Sequence, residues 1–243
     1  MPGSETARTA GPLLREIVPD QIWLREYPIR YMGIRVNARM TIIRLSDGGV
    51  LIHSPCHFDE DLARAVSNLG PIKAIIAPGN FHHLHVPSCQ AAYPRTKTYA
   101  CPGIEKRAPT LHYEELLTDE APALWAGELS QVLLQGVSYI REVIFYHRAS
   151  KTLIVTDVIE NIGDSTPGTN WMLKAWFILF GMWNRPAPAP EYRLTWRDKA
   201  AVRACFERVL AWDFERVVLA HGDLITESAH QAVRQAWRSI LLR

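Results

Sequence analysis

The first half of the chain carries its apolar residues in short runs separated by turn signals, which is the pattern of strands. Segments 21–26 and 39–45 are rich in β-branched and apolar residues. Asp47-Gly48-Gly49 is a turn signal, and Val50-Leu51-Ile52-His53 continues beyond it as a hairpin partner. The period then changes. In segment 59–69, Leu62, Ala65, Val66 and Leu69 share one helical face, and Gly70-Pro71 stops the helix. The apolar run 72–77 follows, as expected of a strand covered on both faces. A short strand is predicted at 96–100 and a short helix at 102–106.

In the second half, 131–134 and 142–146 read as strands. Arg148-Ala149-Ser150-Lys151 is a turn, and 152–156 returns as the hairpin mate, ending at Asp157. Segment 196–210 is helical, 216–220 is a strand that stops at His221-Gly222-Asp223, and 227–242 closes the chain as a helix. Strands meander, helices interleave, and a strand–helix unit stands near each end. The expectation is an α+β protein, two mixed sheets packed face to face with helices outside.

One segment departs from ordinary amphipathic patterning. From Trp171 to Trp183 the chain has the length of a helix but is apolar nearly all round, which a surface helix avoids. It roofs a hydrophobic pocket, covers a partner, or dips into a membrane surface. Lys and Arg do not line it, so a lid or a homodimer contact is favoured over a membrane. Arg185-Pro186-Ala187-Pro188-Ala189-Pro190 reads as a stiff extended connector.

The 243 residues, 48% apolar and 21% charged, suit one globular domain over 15–243 behind a flexible tail, 1–14. A net charge of +2 without a long basic run gives no case for a nucleic-acid partner. Residues 1–12 lack the apolar stretch of a signal peptide, and no segment reaches the roughly 18–20 apolar residues that span a bilayer. Cys56, Cys89, Cys101 and Cys205 are scattered, with no CxxC, which suits buried thiols in a reducing compartment; a cytoplasmic location is expected.

The candidate chemistry sits where strands end. Asn80-Phe81-His82-His83-Leu84-His85 follows the run 72–77, Asp157 ends the strand 152–156, and His221 ends 216–220. Imidazole nitrogens and a carboxylate oxygen suit zinc, iron(II) or manganese. His53 ends a fourth strand and would lie nearby, as a hydrogen-bond partner or an extra ligand. Asn80, His85 and Asp223 are further neighbours of the site. Each has a plainer reading as well: His82 and His83 as loop residues capping a helix, Asp157 as an N-cap, His221-Gly222-Asp223 as a turn.

The order of these elements, with Leu-Ile-Val-Thr-Asp157 and Val-Val-Leu-Ala-His221-Gly222-Asp223, resembles the metallo-β-lactamase fold, a four-layer αββα sandwich. Pro78, Asn80, His82 and His83 narrow the resemblance to an uncharacterised branch, the DUF4336 domain of unknown function. It covers roughly residues 15 to 240. In the superfamily the loop after this strand reads His-x-His-x-Asp-His. Here Pro78 and Asn80 fall on the first two histidines, His82 on the aspartate and His83 on the last histidine. A further histidine expected before the later hairpin is absent between Tyr113 and Tyr146. The resemblance therefore implies that the first metal site is lost. It implies that the second would be held by His82, His83, Asp157 and His221, with Asp157 the catalytic candidate and His53 where relatives carry a supporting acid.

Such a site would hold one divalent metal, zinc first, with iron or manganese as the alternatives. Its ligand charge would be about −1, counting ionised side chains. Four protein ligands would close a zinc site, whereas a catalytic zinc keeps one position open. Three functions follow: a mononuclear metal-dependent hydrolase acting on an ester, amide or phosphoester of an unknown small molecule; a non-catalytic binding or scaffold protein that keeps the fold; and a mononuclear iron redox protein.

Overall fold

A computed structural model of the protein describes residues 13–31 and 33–242. Of the expected tail 1–14, only Leu13 and Leu14 lie among them, and both are held. The Leu13 carbonyl accepts from Arg25 at 3.1 Å, and Leu14 packs against the core.

The first sheet takes its strands in chain order: β1 (Arg15–Val18), β2 (Ile22–Tyr31), β3 (Ile34–Arg44), β4 (Val50–His53), β5 (Ile72–Ala77), β6 (Lys97–Ala100) and β7 (Glu115–Leu116). Pairing is antiparallel up to β4 and parallel beyond it. A parallel pair needs a crossover. Helix α1 (Glu60–Ser67) supplies it from β4 to β5, and α2 (Val86–Ala92) from β5 to β6. The second sheet has the order β11-β10-β9-β8, from β8 (Leu129–Leu133), β9 (Val143–His147), β10 (Thr152–Val155) and β11 (Arg216–Leu219). The long connection from β10 to its parallel partner β11 holds α3 (Trp171–Leu179), α4 (Pro190–Leu194) and α5 (Lys199–Leu210); α6 (Ala229–Ala236) and α7 (Arg238–Leu241) close the chain.

Three apolar cores separate four layers. In β5, Ala74 and Ile76 face the second sheet, where they meet Phe145 and Ile154; Ile75 and Ala77 face Leu62 and Val66 of α1. In β10, Leu153 and Val155 face Phe206 and Val209 of α5. Because side chains alternate along a strand, a strand apolar on both faces must be covered twice. The runs 72–77 and 152–155 meet that demand, and the αββα sandwich is the result.

Several expected boundaries move. The predicted strand 39–45 begins earlier, at Ile34, and pairs along its length with a β2 that runs on to Tyr31. The last helix is split at Trp237, which stacks on Phe206 at 3.9 Å and gives its indole N–H to the Val158 carbonyl at 3.1 Å. The apolar segment 171–183 is helical only to Leu179. Gly181, at φ +65°, turns the chain so that the Met182 N–H reaches back to Phe177 O. Strand β1 and helices α2 and α4 are too short to show a period. Among the described residues no helix is long and apolar enough to cross a membrane.

Candidate metal centre

Strands β5, β10 and β11 deliver His82, Asp157 and His221 to one edge of the sandwich. His82 Nε2 lies 3.0 Å from Asp157 Oδ1, and His221 Nε2 lies 3.4 Å from the same oxygen. One donor atom from each of the three falls within 4.8 Å of the others. All three side chains are largely buried.

The far side of each ring is also fixed. His221 Nδ1 donates to the Asn37 carbonyl at 2.9 Å, which in the neutral ring leaves the Nε2 lone pair free to face a metal. His82 Nδ1 lies 2.8 Å from Ser54 Oγ. Ser54 sits just past β4 in a left-handed conformation, φ +52°, a region costly for a residue with a Cβ. Histidine ligands of metals are oriented by this kind of outer hydrogen bond.

Asp157 is positioned by its backbone. The carboxylate of Glu142, wholly buried, accepts from the N–H groups of Thr156 (2.5 Å), Asp157 (2.9 Å) and Val158 (2.9 Å), and so fixes the turn where β10 ends. Burial, then the charge of Asp157, push Glu142 up to about 7. Burial pushes the Asp157 carboxyl upward too, but His82 and His221 outweigh it and hold the group far below the usual carboxylate range. Burial disfavours a charged His221, yet hydrogen bonding and charge from Asp157 raise it to about 9.

The turn carrying His221 is locked from the first sheet. Arg39 is buried in β3 and donates to the carbonyls of Leu219 and Gly222, the latter at 2.7 Å, and to Glu26 at 3.0 Å. Gly222 is required there: its φ is +94°, and a Cβ would stand 2.0 Å from the Asn161 carbonyl oxygen.

The other expected residues spread out. His83 is not brought into the cluster. Its Nδ1 lies 3.1 Å from its own Asn80 carbonyl, because His82 N–H closes a turn on Gly79 and Val86 N–H closes the next on His83, so neighbouring side chains diverge. Asn80 braces the loop: its amide donates to Tyr139 O at 2.7 Å and its oxygen accepts from Arg141 N–H at 2.9 Å. His85 packs edge-on against Tyr27 at the start of α2. Asp223 accepts from Ser165 (2.6 Å) and Thr166 (2.8 Å), tying the loop after β10 to the end of β11. His53 lies buried edge-on to Phe145 with neither ring nitrogen bonded, and burial, then the charge of His82, hold it neutral with its pKa down to about 3.

Sequence reasoning missed Ser54, Arg39 and Glu142. The last two carry a signal: a lone charge inside or at the mouth of an apolar strand is buried, and a buried charge needs several partners. Ser54 carries none.

The cluster opens into a cavity of about 350 Å³. Its walls are mainly apolar, from Ile34 and Val36 of β3, Ile162, and Leu173, Trp176 and Phe177 of α3. Helix α3 thus roofs the pocket. Its outward face is apolar too and stays bare in the single chain, with Trp171 78% and Leu179 75% exposed.

Solved structures share this architecture. A metallo-β-lactamase from Pontibacter korlensis superposes with a TM-score of 0.62 at 12% identity, covering 93% of this chain and 98% of that one. One from Erythrobacter litoralis gives 0.62 at 13% identity over 93% and 96%. The enzyme FIM-1 from Pseudomonas aeruginosa, solved in its mono-zinc form, gives 0.62 at 10% identity over 95% and 96%. The fold is therefore that of the metallo-β-lactamases. Within it, the profile described as Domain of unknown function (DUF4336) matches residues 19–191, and the chain belongs to that family. No curated protein matches the chain in sequence.

Proposed function

We propose that the protein is a mononuclear metal-dependent hydrolase of a small, largely apolar ester or amide. The observation that carries the reading is the convergence of His82 Nε2, Asp157 Oδ1 and His221 Nε2 on one point at the floor of an apolar cavity.

The donor set fits a divalent ion, zinc first. Two imidazoles and one carboxylate are a known composition for catalytic zinc, and three protein ligands leave one position open. Both imidazoles present Nε2 inward with Nδ1 held from behind. An ion held by these residues would supply Lewis-acid polarisation of a carbonyl and acidification of water. The chain's own residues do the rest. Asp157 stays ionised, Glu142 holds its backbone, and Arg39 holds the turn of His221. The apolar walls exclude bulk water and take up the substrate body. The mono-zinc form of the Pseudomonas enzyme supports one metal as sufficient for the fold.

The test is metal analysis of protein purified without added metal, beside the His221→Ala variant. One metal per chain in the parent, lost in the variant, is expected; metal-free parent that takes up no zinc overturns the reading. Hydrolysis of aryl esters then follows, and turnover unchanged by Asp157→Ala shows that the activity belongs to something else.

A further inference from the structure

The cavity holds carboxyl groups that a metal at the donor cluster would not use. Besides Asp157, two carboxylates line it, Glu160 and Glu191, and no Lys or Arg does. Neither glutamate pairs with a cation among the described residues, and Glu191 Oε2 is fully buried without a hydrogen-bond partner. The buried hydroxyl of Tyr192, also on the cavity wall, makes no hydrogen bond either. Glu160 and Glu191 lie outside the donor cluster of His82, Asp157 and His221.

An unpaired carboxylate in an apolar pocket is costly, so the site is short of a partner. Burial pushes Glu160 up to about 8; the charge of His221 opposes this and those of Asp157 and Glu191 add to it, so this carboxyl holds its proton at neutral pH until a cation faces it. A buried acceptor without a hydrogen asks for a donor, which a primary ammonium has and a quaternary one lacks. Trp176, Phe177 and Tyr31 on the same walls suit a cation beside an apolar body.

We propose that this cavity recognises an apolar primary amine, its ammonium group received by Glu160 and Glu191 and its body by the face of α3. The inference rests on the cavity being the substrate pocket, and it names the substrate class: a molecule with a cationic end, not an acid.

The experiment is calorimetric titration of the whole chain, stripped of metal and again with zinc added, with 2-phenylethylammonium, 2-phenylethanol and 3-phenylpropanoate. The ammonium is expected to bind about tenfold more tightly than the alcohol, the range of a charge-assisted hydrogen bond, and the carboxylate not to bind the metal-free chain; with zinc present only the ammonium and the alcohol are compared, because a carboxylate can ligate the metal. Glu191→Gln and Glu160→Gln keep shape and remove charge. Loss of the preference in either one supports the assignment. Equal affinity for ammonium and alcohol, a preference intact in both variants, or no binding of any probe overturns it. The readout is heat, not turnover. A chain that fails to take up zinc but keeps the ammonium preference refutes the hydrolase and leaves this site standing.

Discussion

Ser54 shows how much of the site depends on groups behind the ligands. Its hydroxyl is 2.8 Å from His82 Nδ1, and its backbone sits at φ +52°. Removing such an outer partner costs about 10–100-fold in metal affinity. Ser54→Ala is expected to weaken zinc binding in that range with the fold intact, as read by competition with a chelating dye; unchanged affinity would show that His82 needs no brace. His221 gives a second test, in metal-free protein. Its pKa stands at about 9 in the folded chain against an ordinary 6.5. A group raised on folding contributes its full stability below its unfolded value and loses it as pH climbs through the folded one. The window is pH 6.5 to 9, and the loss is on the order of 3 kcal/mol, counted once for the pair it forms with Asp157. Melting temperature measured in chelator should fall across that window. In His221→Asn the fall attributed to this group should vanish.

At the scale of elements, what could be read from the sequence was what periodicity reports. The strands at 50–53, 72–77, 152–155 and 216–219 are apolar runs because sheets lie between layers, and the last three lead within two to five residues to His82, Asp157 and His221. What could not be read depends on direction inside turns. Whether His82 or His83 reaches Asp157 is decided by two successive backbone turns and by Ser54 behind His82, and spacing carries neither. The bounds of α3 were hidden likewise, since its residues are apolar on both faces and only Gly181 ends the run. This helix forms one wall of the pocket. It rests on a small cluster of its own, with Leu173, Phe177 and Met182, and is capped by Asn170, whose side chain accepts from Leu173 N–H at 2.9 Å. Asn170→Ala should cost about 1 kcal/mol locally. Hydrogen exchange is the measurement: amides of α3 are expected to exchange roughly fivefold faster, following that cost, with β5 and β10 unchanged. Faster exchange throughout would mean that α3 unfolds only with the whole domain.

At the scale of the molecule, the site is a joint between two sheets, and Arg39 makes that joint. His82 belongs to the first sheet, Asp157 and His221 to the second. The apolar core between the sheets fixes their spacing but is indifferent to small slides, since burial has no direction. Hydrogen bonds have direction. Arg39, rooted in β3, reaches across to the carbonyls of Leu219 and Gly222 on either side of His221, and Asn37 of the same strand takes His221 Nδ1. Strand β3 thus sets where the second sheet's histidine stands relative to the first sheet's. Arg39 keeps its charge despite burial because Glu26 answers it at 3.0 Å; Glu26 is itself part exposed, so little charge is stranded if Arg39 is removed. Losing two or three hydrogen bonds to a charged donor should then cost about 2–4 kcal/mol. Arg39→Met keeps much of the volume and removes the donors. It is expected to lower the denaturant midpoint by that amount, with the slope unchanged, and to reduce zinc affinity at least tenfold although no ligand is altered. A variant that is destabilised but binds zinc as the parent does would show that the interlayer core alone holds the three donors together.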